Sequence, residues 1–248
     1  MSTFNVKQGY LWGMRLDQND TTPASKSDIK PGECACSSDC HEMHLNETVT
    51  VDITASGANG LDTGSEAVSS WYAVHVIGDS AGVNATAGLF SLSADSPTLP
   101  SGYDISRRVG WVRNDSAGDF IGWRQKGNGT VRRYYYDTTF AARRVLSNGN
   151  ATTYTVVDCS GVMPETASLG FFSFEFETGT SGQAADVLRV KSPGVTNALV
   201  RVRAGIVSAE KITVPDQCPT SPSQTIQYQV TRAANAATIA VMGYEDEL

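Results

Sequence analysis

The strongest constraint on this chain is a hydrophobic period of two, repeated in short runs and interrupted at short spacing by turn residues. Thr48-Val-Thr-Val-Asp-Ile53 puts Val49, Val51 and Ile53 on one face, and Ser173-Phe-Glu-Phe-Glu177 turns Phe174 and Phe176 inward and both glutamates outward. Val200 and Val202 alternate with Arg201 and Arg203, while Ile226, Tyr228 and Val230 oppose the glutamines between them. Alternation sends one row of side chains to a buried face and the next to water, which is the pattern of a half-buried antiparallel strand. Trp71-Tyr-Ala-Val-His-Val-Ile77 is continuous instead, as a central strand covered on both faces requires. Asn59-Gly60, Gly78-Asp79, Ser101-Gly102, Gly127-Asn-Gly129 and Pro193-Gly194 separate the runs with residues that favour turns. No segment sustains a 3.6-residue period with caps, and the nearest, Thr138 to Leu146, is at most two turns. The pattern predicts an all-β chain of antiparallel units.

The 248 residues are enough for one large domain or two small ones. A seam is expected near Tyr134 to Ala142. This divides the chain into an N-terminal arm or attachment segment at 1–59, a first β unit at 60–137 and a C-terminal, jelly-roll-like β-sandwich at 138–248. Hydrophobic residues at 40% and charged residues at 18% exclude intrinsic disorder and a coiled coil. A net charge of −7 without a Lys/Arg block argues against nucleic acid as a partner, and no apolar run has membrane-spanning length. The opening Met1-Ser-Thr-Phe-Asn-Val lacks the features of a signal peptide, so synthesis in a cytoplasm is expected. The six N-x-[ST] sites, at Asn19, Asn46, Asn84, Asn114, Asn128 and Asn150, then read as loop chemistry rather than glycosylation.

Of the five cysteines, Cys34, Cys36 and Cys40 crowd beside His41 and His44. Thiolates and imidazoles at this density are the donors of a tetrahedral zinc clip. A zinc site usually takes paired ligands from two chain segments, and no second such pair occurs, so the preferred reading is reduced thiols on a strand with the two histidines in a turn. No cofactor or metal is expected.

Two fragments resemble catalytic strings. Asp62-Thr-Gly-Ser65 matches the aspartic-protease motif, yet no second copy with the right acid follows, and Ser56-Gly-Ala-Asn-Gly60 replaces the apolar strand that should lead into it. A turn in which Asp62 bonds its own backbone and Gly64 supplies a positive φ is the simpler reading. Gly78-Asp-Ser-Ala-Gly82 resembles a serine-protease nucleophile loop, but His75 sits in an apolar strand and suits a core better than a general base. The chain is therefore not expected to be an enzyme, with an aspartic-protease-like activity a distant third reading. In Arg107-Arg108, Arg132-Arg133 and Arg143-Arg144 the two members point to opposite faces of a strand, and salt bridges to carboxylates are their default partners. Tyr103, Trp111, Trp123 and Tyr134 are the candidates for a subunit interface or for stacking on a sugar.

Gly60-Leu-Asp-Thr-Gly-Ser65, Trp71–Ile77, Ala87-Gly-Leu-Phe-Ser-Leu-Ser93, Ser96-Pro-Thr-Leu-Pro-Ser-Gly-Tyr103 and Arg107-Arg-Val-Gly-Trp-Val112 follow one another in an order that resembles bacteriophage virion proteins of the tail-fibre and head-fibre type. Tyr10-Leu-Trp-Gly13, Asp28-Ile-Lys-Pro-Gly32 and Ile239–Asp246 are similar to that family's beginning and last strand. The resemblance implies a cofactor-free structural protein of the virion, often trimeric and displayed on the particle as a head fibre, a capsid decoration or a tail-fibre subunit. Its partners would be copies of itself and other capsid or tail proteins, and its Gly60–Ser65 segment would be a structural loop. The alternative is a host-attachment adhesin that binds a surface glycan.

Overall fold

In the computed structural model, which describes residues 9–38, 41–179, 186–203 and 209–248, the alternating runs become strands. They gather into two units, Met1–Asp137 with Glu247–Leu248, and Thr138–Asp246.

The first unit carries β1 (Leu11–Gly13), β2 (Leu16–Gln18), β3 (Lys26–Ile29), β4 (Gly32–Ala35), β5 (Glu42–Leu45), β6 (Val49–Asp52), β7 (Gly60–Leu61), β8 (Trp71–Gly78), β9 (Ala87–Ser91), β10 (Ile105–Arg113), β11 (Trp123–Lys126) and β12 (Val131–Tyr136). They form the sheets β1-β4-β5, β2-β3-β6 and β10-β8-β9-β7, together with the β11–β12 hairpin. Strand β8 is central and buried from Tyr72 to Gly78, as its unbroken apolar sequence requires. The short β7 pairs with β9 in parallel, whereas the other described strand pairs of the unit are antiparallel. Val51 and Ile53 are buried with Ile29, so the first sixty residues contribute core to this unit. Their sheet lies close against β9 at Gly88. A Cβ there would fall 2.3 Å from Val51 Cγ2 and 2.9 Å from Ile29 Cδ1, so only glycine permits the approach.

Strand β10 is the outer strand of its sheet and is bulged, with Val109 the extra residue between the pairs Arg108–His75 and Gly110–Val74. Around the bulge its backbone groups are met by side chains of the β11–β12 hairpin, while Ser106 O accepts from Ser37 N at 2.8 Å and Arg113 O from Ile121 N at 2.9 Å. Trp111 N–H donates to the Tyr134 hydroxyl at 3.0 Å. Gln125 Nε2 donates to the same hydroxyl at 2.6 Å and to Val109 O at 3.3 Å, while Gln125 Oε1 accepts from Leu16 N at 2.7 Å. Gln125 and Tyr134 are 2% and 1% exposed, so each of these bonds forms away from water, where an unmade one would be costly. Gly110 makes room for the network: a Cβ at this position would stand 2.0 Å from Tyr134 Oη and 2.8 Å from Gln125 Nε2.

The second unit opens with a 3-10 turn at Ala141–Arg143, where the sequence allowed two turns of helix at most. Its strands are β13 (Arg144–Gly149), β14 (Thr155–Asp158), β15 (Ala167–Glu177), β16 (Val187–Lys191), β17 (Val200–Arg203), β18 (Lys211–Pro219), β19 (Thr225–Val230) and β20 (Ala236–Glu247). One sheet runs β13-β20-β15-β18 and the other β14-β19-β16-β17, all antiparallel. Numbered within the unit, these orders are 1-8-3-6 and 2-7-4-5, the strand order of an eight-stranded jelly roll, and the expected β-sandwich is present. Phe172, Phe174, Phe176, Ile239 and Val241 fill the inner face of one sheet. Leu188, Val190, Val200, Val202, Ile226 and Val230 fill that of the other. The alternation read in the sequence is therefore the inward–outward alternation of these strands. The outer strand β18 carries Pro215 and Pro219 at the same parity. Prolines are admitted to a sheet where the missing N–H faces outward, and here they leave that edge unsuited to another strand.

Tyr134→Phe removes the acceptor of two buried donors, and a loss of about 1–3 kcal/mol in unfolding free energy is expected by denaturant titration. Gly110→Ala forces Tyr134 out of place and is expected to cost about 3 kcal/mol or more. Equal stability of Gly110→Ala and the wild type would contradict this packing. In the other unit, Pro215→Thr restores a donor to the edge of β18 and is expected to raise aggregation in light scattering with little change in the melting temperature.

Candidate functional site

The four aromatic candidates lie largely inside the first unit. Trp111, Trp123 and Tyr134 are 2%, 5% and 1% exposed. Trp111 meets Trp71 edge-on at 6.3 Å with Arg108 over its ring at 5.4 Å, and Trp123 packs on Tyr134 at 5.9 Å. Rings enclosed in this way have no face left for a sugar or a partner subunit, so they act as core. The pleat explains the outcome: Trp123 and Gln125 share the inner row of β11, and Arg132 and Tyr134 share the inner row of β12. Tyr103 is half-buried, with its hydroxyl donating to Ala85 O at 3.1 Å. Trp123 also borders an open cleft.

The Cys/His cluster is divided by the β4–β5 hairpin. Cys34 and Cys36 are buried, and burial pushes the Cys34 thiol up to about 12. His44 lies on β5 rather than in a turn, on the opposite, exposed row, with Nδ1 3.5 Å from Glu33 and Nε2 3.7 Å from Glu42. A metal could not take Cys34 and His44 from opposite faces of one hairpin. Cys40 lies outside the described residues, and among the described residues no group of three or more ligand-type side chains gathers. Cys34, Cys159 and Cys218 are free thiols, and they and Cys36 are buried.

Both catalytic look-alikes are loops. Asp62 Oδ1 accepts from Thr63 N at 2.7 Å, and its Oδ2 accepts from Ser91 Oγ at 2.7 Å and Thr98 N at 3.1 Å, while Gly64 takes a φ of 74°. The carboxylate thus pins β7 to β9 and to the segment that follows. In Gly78–Gly82, Asp79 accepts from the N–H groups of Ala81, Val83 and Asn84, and Ser80 bonds Asp104. These bonds to its charged form hold the Asp79 carboxyl below the usual range. The same Asp-Ser-Ala-Gly string recurs at Asp115–Gly118, where Asp115 Oδ1 accepts from Ala117 N at 2.8 Å and Gly118 has a φ of 95°. One turn device serves both the end of β8 and the end of β10, a repetition that a search for longer repeats passes over. The sequon residues behave likewise: Asn19 caps Thr21 and Thr22, and Asn114 bonds Ser70 and Glu66.

Several arginines of the three pairs hold backbone oxygens. Fully buried Arg132 donates to Gly127 O and, at 2.6 Å, to Gly13 O. Arg107 donates to Leu248 O at 3.0 Å and Arg108 to Glu247 O at 3.2 Å, which fastens the last two residues to the first unit. His75 is a core residue. It is 1% exposed, with Nε2 3.1 Å from Ser93 O, and burial, reinforced by the nearby Arg108, pushes its pKa down to about 4.

No family model and no curated protein matches the chain. Two solved structures of infectious bursal disease virus are distantly similar. One, of the Gx strain, has a TM-score of 0.23 and 11% identity over 98% of this chain and 68% of that one. The other, of T=1 particles derived from the virus, has a TM-score of 0.18 and 9% identity over 97% and 70%. At these scores neither likeness carries an argument about fold or role.

His75 binds a proton near pH 6.5 when unfolded but only near pH 4 when folded. The unfolded chain therefore takes up the proton first as pH falls, and about 3 kcal/mol of stability is lost between those values. Denaturant unfolding at pH 7, 5 and 4 should show a smaller loss in His75→Gln than in the wild type. Parallel losses in the two proteins would contradict the assignment.

Proposed function

We propose that the chain is a structural subunit of a virus particle, of the bacteriophage head-fibre, capsid-decoration or tail-fibre type, without catalytic activity of its own. It works by contact with copies of itself, as a homotrimer, and with other capsid or tail proteins. The observation that carries this reading is the 1-8-3-6 and 2-7-4-5 strand order of the second unit. That architecture recurs in viral capsid subunits, lectins and cupins, so the remaining residues must choose among them. A cupin centre needs histidine ligands, and the three histidines of this chain, His41, His44 and His75, all lie in the first unit. The choice of a particle subunit is supported by the residue order over 60–113 that resembles phage fibre proteins, and by Asp62 serving as a loop anchor, as that resemblance implies.

The second reading, a host-attachment adhesin that binds a surface glycan, draws on the lectins that share the architecture. Sedimentation of the purified protein at micromolar concentration is expected to show a trimer, and immunogold labelling is expected to place it on the particle surface. A protein that stays monomeric and is absent from purified particles would refute both virion readings.

A further inference from the structure

The chain contains three Asn-Gly pairs, Asn59-Gly60, Asn128-Gly129 and Asn148-Gly149, and the fold treats them differently. Asparagine is chemically labile, most of all before glycine, which has no side chain to shield its backbone nitrogen. That nitrogen can attack the Asn side-chain carbonyl carbon, Cγ. The N–Cγ bond forms as the Cγ–Nδ2 bond breaks, the backbone amide proton leaves with Nδ2 as ammonia, and a cyclic succinimide remains. Water then opens the ring at one of its two carbonyls. The product is aspartate or, with the main chain rerouted through Cβ and Cγ, isoaspartate. The reaction needs a glycine N–H that no acceptor holds, a free Asn side chain and room for the peptide to turn.

Asn59-Gly60 lacks all three. Asn59 N donates to Gly88 O at 2.7 Å, Asn59 O accepts from Asp52 N at 2.9 Å, and Asn59 Oδ1 accepts from Gly88 N at 2.9 Å. Gly60 N donates to Gly57 O at 2.8 Å, and a Cβ on Gly60 would fall 2.6 Å from Ala55 O. Asn148-Gly149 lies within β13, where Asn148 N donates to Thr238 Oγ1 at 3.3 Å and buried Gly149 faces Ala237 across the ladder. A Cβ on Gly149 would stand 2.5 Å from Tyr228 Oη, so this peptide has no room to turn. Asn128-Gly129 differs from both. The two residues are exposed in the turn between β11 and β12, and beyond its chain neighbours nothing lies within 4 Å of where a Gly129 Cβ would be. No described residue accepts from Gly129 N or bonds the Asn128 side chain, and one bond ties this peptide unit, from Gly13 N to Asn128 O at 2.9 Å. We propose that Asn128 is a site of spontaneous deamidation in the folded protein, where water converts its amide into a carboxylate beside the end of β1. Asn128 O belongs to the ring that forms, so the reaction alters the acceptor of Gly13 N. The proposal does not depend on a place in a virion.

Peptide mapping by mass spectrometry, after incubation of the folded full-length protein at mildly alkaline pH, reads all three sites at once. Isoaspartate is counted by isoaspartyl methyltransferase labelling. The Asn128 peptide is expected to deamidate at least about tenfold faster than the Asn59 and Asn148 peptides, because those sites must first open locally. In denaturant the three are expected to react at similar rates, which assigns the difference to the fold. Gly129→Ala fits the open space at that position and should slow the Asn128 reaction about tenfold by shielding the nitrogen, with the other two sites unchanged. The proposal is overturned if Asn59 or Asn148 reacts in the folded protein as fast as Asn128. It is equally overturned if Asn128 keeps its amide while the denatured chain reacts, or if Gly129→Ala leaves the rate unchanged.

Discussion

The first unit depends on how its outer strand β10 is closed. A sheet edge presents backbone donors and acceptors that must be paired, hydrated or covered. Here the bulge at Val109 removes the option of a regular neighbouring strand, and Gln125 and Tyr134 supply the missing partners from the next hairpin. Because Gln125 also accepts from Leu16, the same amide ties β2, β10 and β11 together. A side chain that bonds three segments away from water fixes their spacing more tightly than apolar contact alone, since a small displacement leaves several buried groups unpaired at once. Gly110 is the steric condition for the arrangement, and Arg132 extends the same principle by holding the carbonyls of Gly13 and Gly127.

The second unit is ordered by a different force. Its two sheets are held by rows of inward phenylalanine, valine and isoleucine, and a one-residue slip in any strand would turn that row to water. Register follows from hydrophobic burial, with polar contacts confined to the margins, such as the bidentate grip of Arg232 on buried Asp186. The prolines of β18 then keep one outer strand from recruiting others.

This contrast explains what the sequence made legible. Period-two alternation reports burial, so the strands around Phe174, Val202 and Tyr228 could be read directly, as could the fully covered strand at Trp71–Ile77. Asp62 and Asp79 were legible as turn residues because their bonds are local. Trp111, Trp123 and Tyr134 were not legible as core, because adjacent tyrosines and arginines satisfy either face of a strand until the partner hairpin is known. His44 was read as a turn residue because the pairing of Glu33 with His44 across β4 and β5 is a long-range fact. The cleft beside Trp123 is bordered by segments a hundred residues apart, such as Arg15–Gln18 and Trp123–Lys126, and leaves no local signature. The fold class was thus written in the periodicity, while the cleft was written in long-range contacts.

The central claim is that side chains of β11 and β12 close β10 and hold β2 to it as one cooperative element. Native-state hydrogen exchange at the amides of Trp111 and Leu16 tests it most directly, because their acceptors are Tyr134 Oη and Gln125 Oε1. Both amides should exchange only when the whole unit unfolds, with the same opening free energy as amides of the central strand β8. Exchange of either amide through a low-energy local opening, while β8 stays protected, would contradict the account.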